Sequence, residues 1–371
     1  MKNTSEIIII GGGLAGLISG IHLVKNGFSV TIFEKNEFPK HKVCGEYISN
    51  EVLEYLKFLE LNINSLRPKN IDKLSFSLVS GKTINTKLPL GGFGISRYEL
   101  DNYLYKKAIE LGCKVIQETV VDVIFTDEVF AVASNKKSYT AKIVLGAFGK
   151  RSNLDVSFNR SFIQKKSNWL GVKAHYKVNF NADLVGLHHF KGGYCGVSKI
   201  ENDNVNICYL ANYESFKRYK SIEEFQEKIV CENPNLQRIF DEAEIQFEKP
   251  LTISQISFDE KKCVENHILM IGDTAGLIHP LCGNGMAMAI HSAKLASESV
   301  IDFIENKISR NQMENDYSKK WNYNFKNRLK MGRLLGNLLQ KQKLANFVLK
   351  IILVFPSLLP IIIKKTHGKP I

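Results

Sequence analysis

The sequence predicts an α/β protein: a parallel-sheet lobe, interrupted by a β-rich insertion and followed by a helical tail. Three observations lead there. Residues 6–10 (EIIII) hold four consecutive isoleucines with no polar face, as a strand buried on both sides of a parallel sheet requires. Gly11-Gly12-Gly13-Leu14-Ala15-Gly16 follows at once, and an apolar-periodic helix then runs to about Asn26, with Gly27 placed to end it. Residues 28–34 (FSVTIFE) supply the next strand, completing a β-α-β unit of roughly 30 residues.

The later segments read in order as follows. Residues 50–62 are helical in pattern, and 71–90 alternate as strands of a second lobe. Tyr98 to Leu111 is an amphipathic helix stopped by Gly112, with strands expected at about 114–125, 128–133 and 142–146. From about 155 to 255 the pattern is mostly strand-like, with one helix near 221–232. Residues 267–272 (HILMIG) form another buried strand, 284–305 a long helix, and the chain is helical and basic from about 310. Strand-helix segments thus stand at both ends with β-rich material between them. The nucleotide lobe is expected from 1–65, 96–152 and 256–305, the substrate lobe from 66–95 and 153–255, and a basic helical segment from 306–371.

Of the 371 residues, 44% are hydrophobic and 23% charged, as in ordinary globular proteins. Met1 to Glu6 is polar and the short apolar run passes straight into glycines, unlike a secretory leader, so a cytoplasmic location is expected. Seven cysteines, none in a C-x-x-C pair, fit a reducing compartment and argue against a disulfide scaffold or zinc ribbon. His188 and His189 would point to opposite faces of a strand, so no metal site is expected.

The net charge of +13 is localised. From Tyr317 to Ile371 there are 12 basic residues and no Asp or Glu, which leaves the rest of the chain close to neutral. Leu344 to Ile363 (LANFVLKIILVFPSLLPIII) is apolar, but Pro356 and Pro360 break it and it is too short to span a bilayer. Lys350, Lys364 and Lys365 flank it. Two readings stay open: peripheral contact with an anionic inner membrane face, or packing of Phe347, Ile351 and Leu353 on the protein's own lobe. The apolar density disfavours nucleic acid as the partner.

The glycine segment is a G-x-G-x-x-G between a strand and a helix. Gly11 permits the tight turn, Gly13 lets backbone approach a pyrophosphate, and Gly16 lets helix and strand pack closely. Leu14 and Ala15 open the helix, whose free N–H groups and positive dipole suit phosphates. Glu34, followed by Lys35, ends the second strand where an acid would bind ribose hydroxyls. A second motif reads Met270-Ile271-Gly272-Asp273-Thr274-Ala275-Gly276, then His279-Pro280-Leu281-Cys282-Gly283-Asn284-Gly285-Met286-Ala287.

With that pair of motifs the chain resembles the flavoprotein superfamily of aromatic hydroxylases and geranylgeranyl reductases, over about residues 1–305. The resemblance implies non-covalent FAD on a Rossmann-type, glutathione-reductase-like domain. It places Asp273 on a ribityl hydroxyl and the backbone of Gly283, Asn284, Gly285 and Met286 along the N1–C2 edge of the flavin. A helix N-terminus there would stabilise the charge of the reduced ring. Ser96-Arg97-Tyr98-Glu99-Leu100-Asp101 matches an S-R-x-x-L-D segment, with Arg97 beside the phosphates. Val121 stands at the strand expected near the adenine. Pro39 to Glu46 resembles a K-x-C-G-E segment that brings Cys44 and Gly45 against the flavin, and Gly149 lies in a further cofactor-side turn.

There are departures. Phe148 stands where hydroxylases carry the Asp of a D-G segment, which weakens the case for direct use of NAD(P)H, the candidate electron donor. Tyr194 is kept from the reductases' G-Y-x-W-x-F-P segment, but Gly196 replaces its Trp. Trp169 and Trp321 are the chain's two tryptophans, so the W-x-W pair of related halogenases is missing. The implied function is FAD-dependent oxidation or hydroxylation of a small lipophilic or aromatic substrate, a lean that rests on Gly196. Reduction of a prenyl or alkene double bond is the alternative, and a non-enzymatic lipid carrier on the same fold is the third reading. Tyr194 and His279 are the catalytic candidates, by position.

Overall fold

The computed structural model describes residues 4–371 apart from the side chains of Leu339, Gln342, Lys343, Asn346 and Leu349; Met1 to Asn3 of the polar N-terminus and the Lys343 charge therefore lie outside the described residues. The isoleucine run forms the strand Thr4–Ile10, with Ile7, Ile8 and Ile9 fully buried. It pairs in parallel with Val30–Phe33 on one side and Ser138–Gly146 on the other. Lys114–Ile116 extends the sheet beyond Val30–Phe33, and Ile268–Met270 extends it beyond Ser138–Gly146, again in parallel. A hairpin, Val120–Thr126 with Val129–Ser134, and the short strand Val264–Glu265 add antiparallel edges. The first helix, Leu14–Lys25, packs on the helix Gly285–Ile304, and both are buried along most of their length.

The second sheet has nine strands and is mainly antiparallel: Trp169–Lys177, Leu184–Phe190, Gly193–Lys199 and Val205–Asn212 form its centre. Lys69–Ser77 joins it in parallel with Leu184–Phe190, and Thr83–Gly94 pairs back on Lys69–Ser77. Tyr47–Ser49, from the expected nucleotide segment, pairs with Thr83–Gly94 and so belongs to this sheet. One face is covered by the short helices Ile222–Lys228 and Pro234–Glu242, and the other looks toward the nucleotide lobe. The expected helix over 50–62 is cut short: a 3-10 turn at Asn50–Val52 leads into Leu53–Phe58, and Glu60 takes a left-handed φ of 59° that ends it.

The basic C-terminal segment is three helices, Arg310–Gln340, Gln342–Val354 and Leu358–Thr366. The first is no free tail. Met313, Tyr317, Trp321, Phe325 and Leu329 join the core of the nucleotide lobe, and the Tyr317 hydroxyl donates to the Met270 carbonyl at 2.6 Å. The two short terminal helices turn on Pro356 and lie across the second lobe, where Ala345, Ile352, Leu359 and Ile363 are buried against it. The own-lobe packing of this segment is thus real for its inner face, although Phe347 and Ile351, two residues expected there, point outward. No helix among the described residues is long and apolar enough to cross a membrane.

Candidate functional site

Steric limits fix the first corner. Gly11 sits at φ +111°, and a Cβ there would lie 2.2 Å from the Ala147 carbonyl oxygen. A Cβ on Gly16 would lie 2.0 Å from the Gly11 carbonyl oxygen, so helix and turn touch backbone to backbone. Gly13 differs: the nearest atom to its Cβ position is an Arg97 guanidinium nitrogen at 4.0 Å, and beyond it the backbone opens to a cavity. The Glu34 carboxylate accepts from the Gly12 N–H at 3.0 Å and from the Asn36 N–H at 2.9 Å, which holds it at the cavity wall. Arg97 makes two bonds of 2.7 Å to Asp101, which also accepts from Lys42 at 2.8 Å. Burial pushes the Asp101 carboxyl up, but Arg97 and Lys42 outweigh it and hold it below the usual carboxylate range.

The second corner meets the first. Gly272, at φ +58°, has its Cβ position 3.1 Å from the Ala15 Cβ. The Gly272 N–H donates to Ser292 on the long helix, and Thr274 accepts from the Gly149 N–H at 2.7 Å, tying two loops and that helix together. Asp273 lines the same cavity, and among the described residues its carboxylate takes no hydrogen bond. Further along, Gly283 adopts φ +62° and leads into the N-terminus of the Gly285–Ile304 helix, which no side chain caps among the described residues. Met286 faces the cavity and touches Cys44, sulfur to sulfur, at 3.5 Å.

Both corners therefore border one cavity of about 1070 Å³. FAD fits its nucleotide half on three grounds: a glycine backbone left open at Gly13, a cation held beside it, and at Asp273 a carboxylate that takes no hydrogen bond among the described residues. The other half is aliphatic, lined among others by Leu74, Leu187, Leu210, Leu277, Ile352 and Ile363, so the terminal helices form part of its wall. Gly196 also lines it, and a Cβ there would meet nothing closer than 3.6 Å, so the missing Trp leaves real space.

Gly11, Gly13, Leu14, Ala15, Glu34, Lys35, Cys44, Gly45, Arg97, Gly149, Asp273, Gly283, Gly285, Met286 and Tyr194 all border this cavity. Four expected residues do not. Gly16 acts behind the turn through the close packing just described. Val121 points away, 48% exposed, because neighbouring strand residues face opposite sides and it is Val120 that lines the cavity. Asn284 turns inward, donating to Glu51 at 3.0 Å and accepting from Arg328 at 3.3 Å. His279 is buried among Trp169, Phe258 and Tyr194 rather than facing the cavity, and burial drops its pKa to about 3, so it stays neutral. Burial raises the Tyr194 phenol well above its ordinary range, so it keeps its proton.

One cluster was given no role in the sequence reading. Glu46, fully buried at φ +53°, accepts from Lys173 at 2.8 Å, from the Arg97 N–H at 2.9 Å, and pairs with His175 at 2.6 Å. Burial raises its carboxyl, but Lys173 and His175 overcome this and leave it below the usual carboxylate range. It pins the Cys44-Gly45 loop, the start of the Arg97 helix and the second sheet to one another. The signal was present: Lys173 and His175 lie two apart on one face of an otherwise apolar strand, where charged groups occur only with partners.

A family model described as an FAD binding domain matches residues 4–314. The chain is 23% identical to conditioned medium factor receptor 1 of Dictyostelium discoideum, over 89% of this chain and 70% of that protein. It is also 23% identical to a digeranylgeranylglycerophospholipid reductase of Methanosarcina acetivorans, over 86% of this chain and 81% of that one. Among solved structures, a flavoprotein/dehydrogenase from Cytophaga hutchinsonii superposes with a TM-score of 0.78 at 18% identity, covering 91% of this chain and 86% of that chain; it shares the fold. The chain belongs to the FAD binding domain family and is an FAD-dependent oxidoreductase of the aromatic hydroxylase and geranylgeranyl reductase superfamily.

Proposed function

We propose that this oxidoreductase acts on the aliphatic chain of a lipid-like substrate, reducing a carbon–carbon double bond held against the Gly283–Met286 turn. The observation that carries the reading is the aliphatic half of the cavity, continuous with the cofactor half. Branched aliphatic walls recognise a chain by shape and exclude water, and they offer little to orient a phenol or other polar ring. The reductase name of the Methanosarcina relative supports the same chemistry. Bound FAD, once reduced, would supply a hydride to such a bond or, with O2, an oxygen atom. The chain's own part is to orient and to keep the site dry. Tyr194 holds a proton at its hydroxyl throughout the physiological range.

Hydroxylation is the second reading, favoured by the open space at Gly196, which admits a wider substrate than a Trp would. A peripheral position on a membrane, through the basic C-terminal segment, belongs to the same proposal. The test is anaerobic: FAD-loaded protein, reduced chemically, is mixed with a detergent-dispersed geranylgeranyl lipid. Flavin reoxidation with a product two hydrogens heavier supports reduction. A product heavier by one oxygen, formed only in air, supports hydroxylation. The same mixture is therefore also run in air, and failure of both arms refutes a lipid-chain substrate.

A further inference from the structure

We infer that the two terminal helices form a two-faced lid whose outer face rests on an anionic lipid bilayer, so that the cavity is fed from the membrane. The inference rests on the reading that the cavity takes a lipid chain, and it names where that chain comes from. The inner face of the lid, through Val348, Ile352, Leu359 and Ile363, is cavity wall. Its outer face is apolar as well. Leu344, Phe347, Ile351, Val354, Leu358 and Ile361 recur three or four residues apart and all face solvent, with Phe347 at 62% exposure and Val354 at 69%. Phe355, at the Pro356 bend, is 59% exposed. A soluble surface seldom carries an unbroken apolar crest of this size without a partner.

The charge around the crest says which partner. Lys341, Lys350, Lys364 and Lys365 are exposed beside it, and among the described residues none of them forms an ion pair. No acid occurs after Asp316 to attract them back. Apolar side chains ringed by unpaired lysines match the acyl chains and phosphates of an anionic leaflet, whereas a second copy of this chain would set its lysines against these. The lid is tethered at both ends. Its leading helix is locked into the nucleotide lobe by Tyr317 and Phe325, and its trailing end is held by Glu51, which accepts from the Gly368 N–H at 2.7 Å through its carboxylate and from the Ile371 N–H at 3.0 Å through its carbonyl. The crest can therefore enter lipid without the lid leaving the cavity.

The test is cosedimentation of full-length, FAD-loaded protein with phosphatidylcholine vesicles, with and without phosphatidylglycerol. Binding should require phosphatidylglycerol and weaken as salt rises. Phe347→Ser with Phe355→Ser should lower binding about tenfold or more, and so should Lys350→Glu with Lys364→Glu and Lys365→Glu. Flavin absorbance should not change in either variant, since these side chains lie outside the cavity wall. Protein that ignores both vesicle types, or variants that bind as the wild type does, would overturn the inference. So would a crest variant whose only effect is to turn a dimer into a monomer. Vesicle binding and lipid reduction are read separately, so an inactive protein that still binds vesicles refutes the substrate reading alone.

Discussion

A single methyl group separates two kinds of glycine in this site. At Gly11 and Gly16 its place is taken by backbone oxygens at 2.2 Å and 2.0 Å, so an added Cβ would pry the helix from the strand. At Gly13 the methyl would enter only the cofactor's space. Gly16→Ala should therefore destabilise the protein even without cofactor, by about 1–3 kcal/mol, the usual cost of overpacking. Gly13→Ala should melt like the wild-type apoprotein yet bind FAD at least tenfold more weakly. Thermal melts with and without FAD distinguish the two; equal effects in both states would contradict the assignment. The packing role of Gly16 was legible in the sequence because it follows from sterics local to one turn. The outward turn of Val121 was not, because alternation puts Val120 and Val121 on opposite sides of the strand without saying which of the two valines faces in, and it is Val120 that does.

Between elements, buried charge joins segments far apart in sequence. Glu46 sits on a loop and its partners on a strand 127 and 129 residues away. Glu51 accepts from Arg328 at 3.0 Å, 277 residues away, and both are buried. Such pairs leave a trace in sequence only as charged residues inside apolar runs, without naming the partner. Glu46→Ala would strand Lys173, which is fully buried, and should cost about 3–5 kcal/mol, as breaking a buried pair does. Glu46→Gln keeps an acceptor for Lys173 and the Arg97 N–H and should cost clearly less. Denaturant titration of both variants checks the order, and an equal, small loss would show that the cluster does not brace the lobes. The helix Pro234–Glu242 was missed although its signal was present: Asn233 caps it, Pro stands in its first turn, and Leu236, Ile239 and Phe240 fall at helical spacing within a region that otherwise alternates.

Over the whole molecule, the α/β fold was readable because the central strands Thr4–Ile10 and Val30–Phe33 are largely apolar and are followed by glycine corners or turns. The fate of the C-terminal segment was not, since a helix apolar on two faces satisfies both a cavity and an outer surface. Acid sensitivity is another molecule-wide consequence. Burial lowers His22 and His188 to about 4, and His279 and His291 to about 3. Between those values and the ordinary 6.5, the unfolded chain binds protons that the folded chain refuses. Stability is therefore full above pH ~6.5 and falls as pH drops toward 4, by up to roughly 1.4 kcal/mol per pH unit for each histidine. Thermal melts at about pH 7 and about pH 5 should show a marked loss at the lower value, and a flat profile would contradict buried neutral histidines. On the proposed reading, cofactor and lipid chain share one chamber and meet at Gly283–Met286. Titrating the oxidised, FAD-loaded protein with a long-chain isoprenoid alcohol while recording the flavin spectrum tests it most directly. The expected result is a saturable shift of the visible band, much weakened in Gly196→Trp; alcohol that binds without disturbing the flavin would contradict it.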